Sequence, residues 1–185
     1  MDTSETGSQQ RLLAMKGLPG SGKSSLALEI ARRTGWRVVD KDDAKDVLHG
    51  RSSDAGHLAY QTSLEEIERH LMNGESVIYD SPLTFRSLYG EICLIAARTR
   101  TEPLIVECLC SDEDELRRRI EERSGVGLPS HRITGWSEFL AYRERTSTLS
   151  DYAIDGPYLM ADTTRPLSEL IESAMQWLSA ERVDG

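Results

Sequence analysis

The chain has 185 residues, 38% of them hydrophobic, with 22 Lys and Arg against 31 Asp and Glu, a formal net charge of −9. That length suits one domain with a sizeable core, and the composition excludes collagen-like, disulfide-rich and low-complexity disordered chains. No run approaches the ~18 consecutive apolar residues of a membrane helix, the acidic start MDTSETGSQQ lacks the basic and apolar regions of a secretory signal, and the net negative charge disfavours generic polyanion binding.

Residues 1–10 read as a disordered leader and 11–183 as a single domain. Leu12–Lys16 is a short apolar run ending at glycine, a first strand. Ser24–Thr34 carries Leu26, Ala27, Ile30 and Ala31 on one side, a helix. Trp36–Asp40 is a second strand, Ala44–His49 a short helix, and Leu58–Met72 a longer one stopped by Asn73-Gly74. Ser76–Asp80 is a third strand and Arg86–Arg98 is helical. Leu104–Cys110 is nearly all apolar, as a strand buried on both faces should be. Asp112–Arg123 is a charged helix, Ser124–Gly135 a loop and Trp136–Thr146 a helix. Tyr158–Ala161 is a fifth strand, and Pro166–Leu178 the last helix with proline at its start. Strands alternate with helices throughout. The expected fold is therefore a three-layer α/β/α sandwich around a parallel sheet. Only 112–147 breaks the rhythm, and it is a candidate lid.

Cysteine usage fits a reducing, cytoplasmic setting. Cys93, Cys108 and Cys110 are odd in number, so they cannot all pair, and no CxxC pair supports a metal site.

The chemistry begins at Gly17-Leu18-Pro19-Gly20-Ser21-Gly22-Lys23-Ser24, which fits G-x-x-x-x-G-K-[ST]. Glycines let the backbone turn tightly and aim N–H groups inward, and the helix that follows presents its positive end to an anion. Lys23 supplies a point charge for the β- and γ-phosphates, and Ser24 a hydroxyl for Mg²⁺. Ser25 completes the set of nucleotide-contacting positions. A strand before and a helix after supply the context that the pattern needs, so binding of ATP with Mg²⁺ is expected. A guanine-reading N/T-K-x-D is absent, since Asp40-Lys41-Asp42-Asp43 follows the wrong strand. No strand ends in the Asp-Glu of hydrolysing ATPases. These absences favour a small phosphotransferase.

GLPGSGKSS, VVDKDDAKDVL, VIYDSPL and LRRRIEER together resemble the small P-loop kinases, a group that includes adenylate-, gluconate- and shikimate-kinase-like enzymes and polynucleotide 5′-kinases. The arrangement is most similar to the zeta-toxin/polynucleotide-kinase-like P-loop ATPases, also called AAA-type, over roughly residues 12–180. The resemblance implies a five-stranded parallel sheet of order 2-3-1-4-5 with a helical lid. It also implies an acidic base after strand two that takes the acceptor's proton, with a basic residue three positions on. Asp42 and Lys45 match. The family usually has arginine where Lys45 stands, and the two are not interchangeable at a bidentate phosphate site. The competing reading makes Asp42 or Asp43 the N-cap of the helix near Ala44.

Asp80 ends strand three at the crevice where open α/β sheets bind ligands. It is a candidate for Mg²⁺, for the acceptor or for the base, or else a turn cap. Arg86 is either an acceptor contact or a solvated side chain. Arg119 and Arg123 share a helix face. In gluconate-kinase-like enzymes such a pair clamps adenine and phosphates, which would make Arg123 a catalytic charge on the transferring phosphate alongside Lys23 and Asp42. The alternative pairs these arginines with Glu115, Glu121 and Glu122. His131 and Arg132 are lid candidates, Trp136 a packing anchor, and Asp162-Thr163-Thr164 lies where related kinases place adenine. His57, Tyr60 and Gln61 are candidate acceptor-pocket residues.

The leading expectation is a kinase for a hydroxyl on a small metabolite or a nucleotide-like acceptor. Two alternatives stand beside it: a kinase for polynucleotide 5′-hydroxyl ends, held by a cluster such as Arg86, Arg98 and Arg100, and a regulatory ATPase without a small acceptor. The sequence leaves the acceptor and the oligomeric state open.

Overall fold

The computed structural model describes residues 10–48, 55–123 and 133–181. The expected leader up to residue 9, His49, and His131-Arg132 with most of the expected loop lie outside the described residues. The element order is β1 (Leu12–Lys16), α1 (Lys23–Thr34), β2 (Arg37–Asp40), α2 (Lys41–Leu48), α3 (Ala55–Met72), β3 (Val77–Asp80), α4 (Arg86–Thr99), β4 (Pro103–Leu109), α5 (Glu113–Glu122), α6 (Trp136–Ser150), β5 (Tyr158–Asp162) and α7 (Leu167–Ala180).

The strands form one all-parallel sheet of order β2-β3-β1-β4-β5, the expected order. Alternation along β1 shows why the sheet needs cover on both sides. Leu12 and Ala14 face a core with Ile67 and Leu71 of α3 and Ile92 and Ile95 of α4. Leu13 and Met15 face the other core, with Leu26 and Ile30 of α1 and Ile171 and Leu178 of α7. Each of the leucine, isoleucine and methionine side chains among these, taken fully out of water, contributes about 1.5–3 kcal/mol. A third cluster of Leu116, Ile120 and Phe139, joined by Leu18 and Trp136, fastens α5 and α6 against the loop after β1. Trp136 stacks on Phe139 with centroids 5.0 Å apart, the anchoring role expected for it.

One boundary differs in a way that matters. The helix after β2 starts at Lys41, not near Ala44. Asp40 Oδ1 accepts the Asp42 backbone N–H at 2.7 Å, so Asp40 is the cap and neither Asp42 nor Asp43 is. Aspartates inside the first turn are favoured by the helix dipole, which is why an acidic run after a strand starts a helix early.

Candidate active site

The loop from Gly17 to Gly22 joins β1 to α1, and three of its glycines have positive φ: Gly17 at 137°, Gly20 at 81° and Gly22 at 84°. A Cβ on Gly20 would sit 2.8 Å from Ile120 Cδ1, and one on Gly22 would sit 3.0 Å from Thr163 Cγ2. The backbone is thus wedged between α5 and the β5–α7 turn where side chains would not fit. Ser21 is buried inside the loop. Lys23 Nζ donates to the Leu18 carbonyl at 2.8 Å. Burial lowers the Lys23 pKa, while the Asp80 and Asp42 carboxylates pull it back up and Arg123 adds to the lowering. Those three charges therefore converge on the ammonium.

Two hollows flank this loop. The first, about 540 Å³, is lined by Gly20, Gly22, Ser25, Arg119, Arg123 and Thr163, with Leu167 and Leu170 of α7 on its apolar side. Arg119 is held by three contacts: Nε to Glu115 Oε1 at 2.8 Å, one Nη to Thr163 Oγ1 at 2.8 Å and the other to the Thr163 carbonyl at 2.7 Å. Such a fixed guanidinium presents a flat cationic face to whatever enters. The second hollow, about 530 Å³, is lined by Pro19, Lys23, Ser24, Asp40, Asp42, Lys45, Asp80 and Arg123 on its inner side. Phe85, Tyr60, Tyr142 and Arg145 line it further out. Arg123, the C-cap of α5, borders both hollows.

Asp40 and Asp80 are register partners at the ends of β2 and β3. Burial raises the Asp40 pKa from 3.8 to about 6, helped by Asp80, Asp42 and Asp43 and opposed by the Asp42 N–H. Because the folded value is raised, the native chain holds more protons than the unfolded chain between those values. Stability therefore falls as pH rises through the window from 3.8 to about 6. Asn caps as well as Asp and carries no charge. Asp40→Asn should raise the melting temperature at pH 7 by a few degrees, on the order of 1 kcal/mol, and the gain should vanish near pH 4. Paired thermal melts at the two pH values check this.

The structure thus brings together Lys23, Ser24, Asp42, Lys45, Asp80 and Arg123. It does not bring in Arg86, which is exposed at the start of α4 and off the cleft lining. His57 and Gln61 are exposed and off it too, while Tyr60 lines it. Arg86, Arg98 and Arg100 form no cluster. Arg86 and Arg98 stand near opposite ends of α4, about 18 Å apart along the axis, and Arg98 pairs with Glu68. Burial pushes the Cys108 thiol up to about 12, in keeping with an inert packed cysteine.

The family described as an AAA domain matches residues 12–146. The chain belongs to that family. No curated protein matches the chain in sequence. Among solved structures, a Chloroflexus aurantiacus J-10-fl protein provisionally assigned as a kinase is similar at TM-score 0.73 and 20% identity, covering 91% of this chain and 98% of that one. A gluconokinase from Sinorhizobium meliloti 1021 is similar at TM-score 0.65 and 22% identity, covering 93% of both chains. The Mycobacterium tuberculosis APS kinase CysC, in complex with AMPPNP and APS, is similar at TM-score 0.61 and 18% identity, covering 92% and 98%. These likenesses establish the fold, that of a small P-loop kinase-like NTPase.

Two site contacts escape a reading of the sequence, which places Thr163 only near the adenine region and gives Lys41 no role. Thr163 holds Arg119, and its hydroxyl lies within donating distance of the carbonyls of Ser21 (2.9 Å) and Leu109 (3.0 Å). It ties the phosphate loop, β4 and α5 together, yet it sits 142 residues from Ser21 in sequence. Lys41 is buried, ion-paired with Asp42, and its ammonium lies 5.3 Å from the Tyr60 ring centroid. A lysine beside aspartates in sequence carries no signal of either contact. Among the described residues no helix is long and apolar enough to cross a membrane.

Proposed function

We propose that this protein is an ATP-dependent kinase that moves the γ-phosphoryl group of ATP to a hydroxyl of a small acceptor. The observation that carries the reading is one cleft lined by Lys23, Asp42 and Arg123, adjoining a second hollow bordered by the same Arg123. Nucleotide on one side and acceptor on the other would meet at that arginine. The kinase fold of the neighbours, and the nucleotide analogue bound by the APS kinase, support it.

In this reading the glycine-wedged loop and Lys23 cradle the phosphates, and Arg119 lies against the base. Asp42 accepts the proton of the acceptor hydroxyl. The acceptor oxygen bonds to the γ-phosphorus as the bond to the bridging oxygen breaks, leaving ADP, a phosphate ester and one proton. Arg123 neutralises charge spread over the transferring group. Ser24 and Asp80 line the same cleft, and their hard oxygens fit Mg²⁺, whose charge would offset that of the phosphates. Helices α5 and α6, anchored on the loop through Leu116, Ile120 and Phe139, form the described part of the lid that excludes water.

The test is ATP consumption with Mg²⁺ across pooled metabolites, nucleosides and 5′-hydroxyl oligonucleotides. One pool should stimulate turnover, and Lys23→Ala should abolish both turnover and nucleotide binding. Turnover that responds to a partner protein and to no pool would overturn the reading in favour of a regulatory ATPase.

A further inference from the structure

The outer half of the acceptor cleft has an unusual lining. Three aromatic side chains meet there: Tyr60 from α3, Phe85 at the N-cap of α4 and Tyr142 from α6. Phe85 is 41% exposed, a large apolar group left facing a polar cleft without a packing reason. The Tyr142 hydroxyl is engaged within the protein, pairing with Thr84 Oγ1 at 3.0 Å. Both tyrosines contribute aromatic surface to the cleft lining, and the Lys41 ammonium lies over the Tyr60 ring, 5.3 Å from its centroid.

Neutral hydrogen-bonding groups are correspondingly scarce. Among the described lining residues there is no Asn, Gln or Thr, and the aliphatic hydroxyls are Ser24 and Ser81 alone. Of the inner carboxylates, Asp42 is ion-paired with Lys41 and Asp40 accepts the Asp42 backbone N–H. An open-chain polyol needs a partner for each hydroxyl it brings out of water, and an unpaired one is costly. Flat unsaturated rings need only apolar faces to stack on.

We infer that the acceptor is a nucleoside-like molecule, a flat unsaturated ring carrying a hydroxyl on a short arm, with the ring seated on the wall of Tyr60, Phe85 and Tyr142 and the hydroxyl directed at Asp42. The inference rests on the kinase reading and narrows it. The same chemistry occurs in a free nucleoside and at the 5′ end of a nucleic acid. The free form is favoured. Arg145 is the only outer cation among the described lining residues, Glu138 lies two turns before it on the same face of α6, and the chain carries −9 overall. A strand's succession of phosphates would find little to hold it.

The experiment measures steady-state kinetics of the full-length protein with Mg²⁺-ATP against three acceptor sets: nucleosides, open-chain polyols and sugar acids, and 5′-hydroxyl oligonucleotides. Nucleosides should be phosphorylated. Phe85→Ala should raise the acceptor KM about tenfold while the KM for ATP stays constant, since stacking energies of the size seen for single bases correspond to such a factor. Phe85→Trp should restore it. Tyr142→Leu, a second ring removal on another element, should raise the acceptor KM in the same direction. Turnover of sugar acids with no response to Phe85→Ala would overturn the inference while leaving the kinase intact. Turnover of oligonucleotides alone, with a steep loss on adding salt, would overturn the assignment to a free small molecule. Nucleotide binding without stimulation by any set would overturn the kinase reading and this inference with it.

Discussion

Asp42→Ala should lower kcat by roughly 10²–10⁴-fold and leave nucleotide affinity nearly unchanged, the range spanned when a positioned general base is removed. The expectation comes from how Asp42 is held. It sits in the first turn of α2, its backbone N–H is tied to Asp40, and its carboxylate is paired with the buried Lys41 ammonium. A carboxylate so fixed loses little entropy in meeting a substrate hydroxyl, and its removal costs the chemical step more than binding. Asp42→Asn sharpens the test. The amide keeps the shape but takes no proton, so it should be as slow as the alanine variant. Single-turnover transfer with a stimulating acceptor measures both. If Asp42→Asn works at the wild-type rate, Asp42 is not the base, and Asp80, which lines the same cleft, takes that role.

Gly17→Ala should unfold the protein at a markedly lower temperature. At φ 137° the backbone is in a region that side chains rarely enter. A Cβ there would lie 2.2 Å from the Cys108 carbonyl oxygen and 2.9 Å from Ser21 Oγ. The carbonyl cannot yield freely, because it belongs to β4 in mid-sheet, and Gly17 cannot move away freely, because its N–H is bonded to the Pro82 carbonyl at 3.1 Å. Strain of this kind costs about 1–3 kcal/mol before the collision is added. With the collision added the total is about 3 kcal/mol, and at about 2–4 °C per kcal/mol for a chain of this size the melting temperature should drop by about 6–12 °C. Gly35→Ala is the matched control. Gly35 has φ 75° but nothing within 4 Å of an added Cβ, so it bears the conformational cost alone, about 1 kcal/mol. A Gly17→Ala protein that melts with the control would mean that β4 gives way easily.

The phosphate loop was legible because its function is carried by residue types at fixed spacing within eight consecutive positions. The order of the strands was legible through the resemblance, and the parallel arrangement through strict alternation of strand and helix. The acceptor side was harder to read. Asp42 and Lys45 could be matched by position, but the start of α2 was misplaced, because the acidic run looked like a cap rather than a first turn. Arg86 looked close in sequence to Asp80, yet the turn into α4 leaves it exposed and off the cleft lining.

The sequence by itself determined that the chain is an α/β protein with a phosphate-binding loop between β1 and α1, since periodicity and short-range spacing are local properties of the chain. Only the tertiary structure decided what surrounds that loop. Thr163 reaches Arg119 and Ser21 across 44 and 142 residues. Lys41 finds Tyr60, and Phe85 and Tyr142 come from α4 and α6 to line one cleft. The strands end together at one edge of the sheet, so side chains far apart in sequence converge there, and that convergence depends on packing that no single segment encodes.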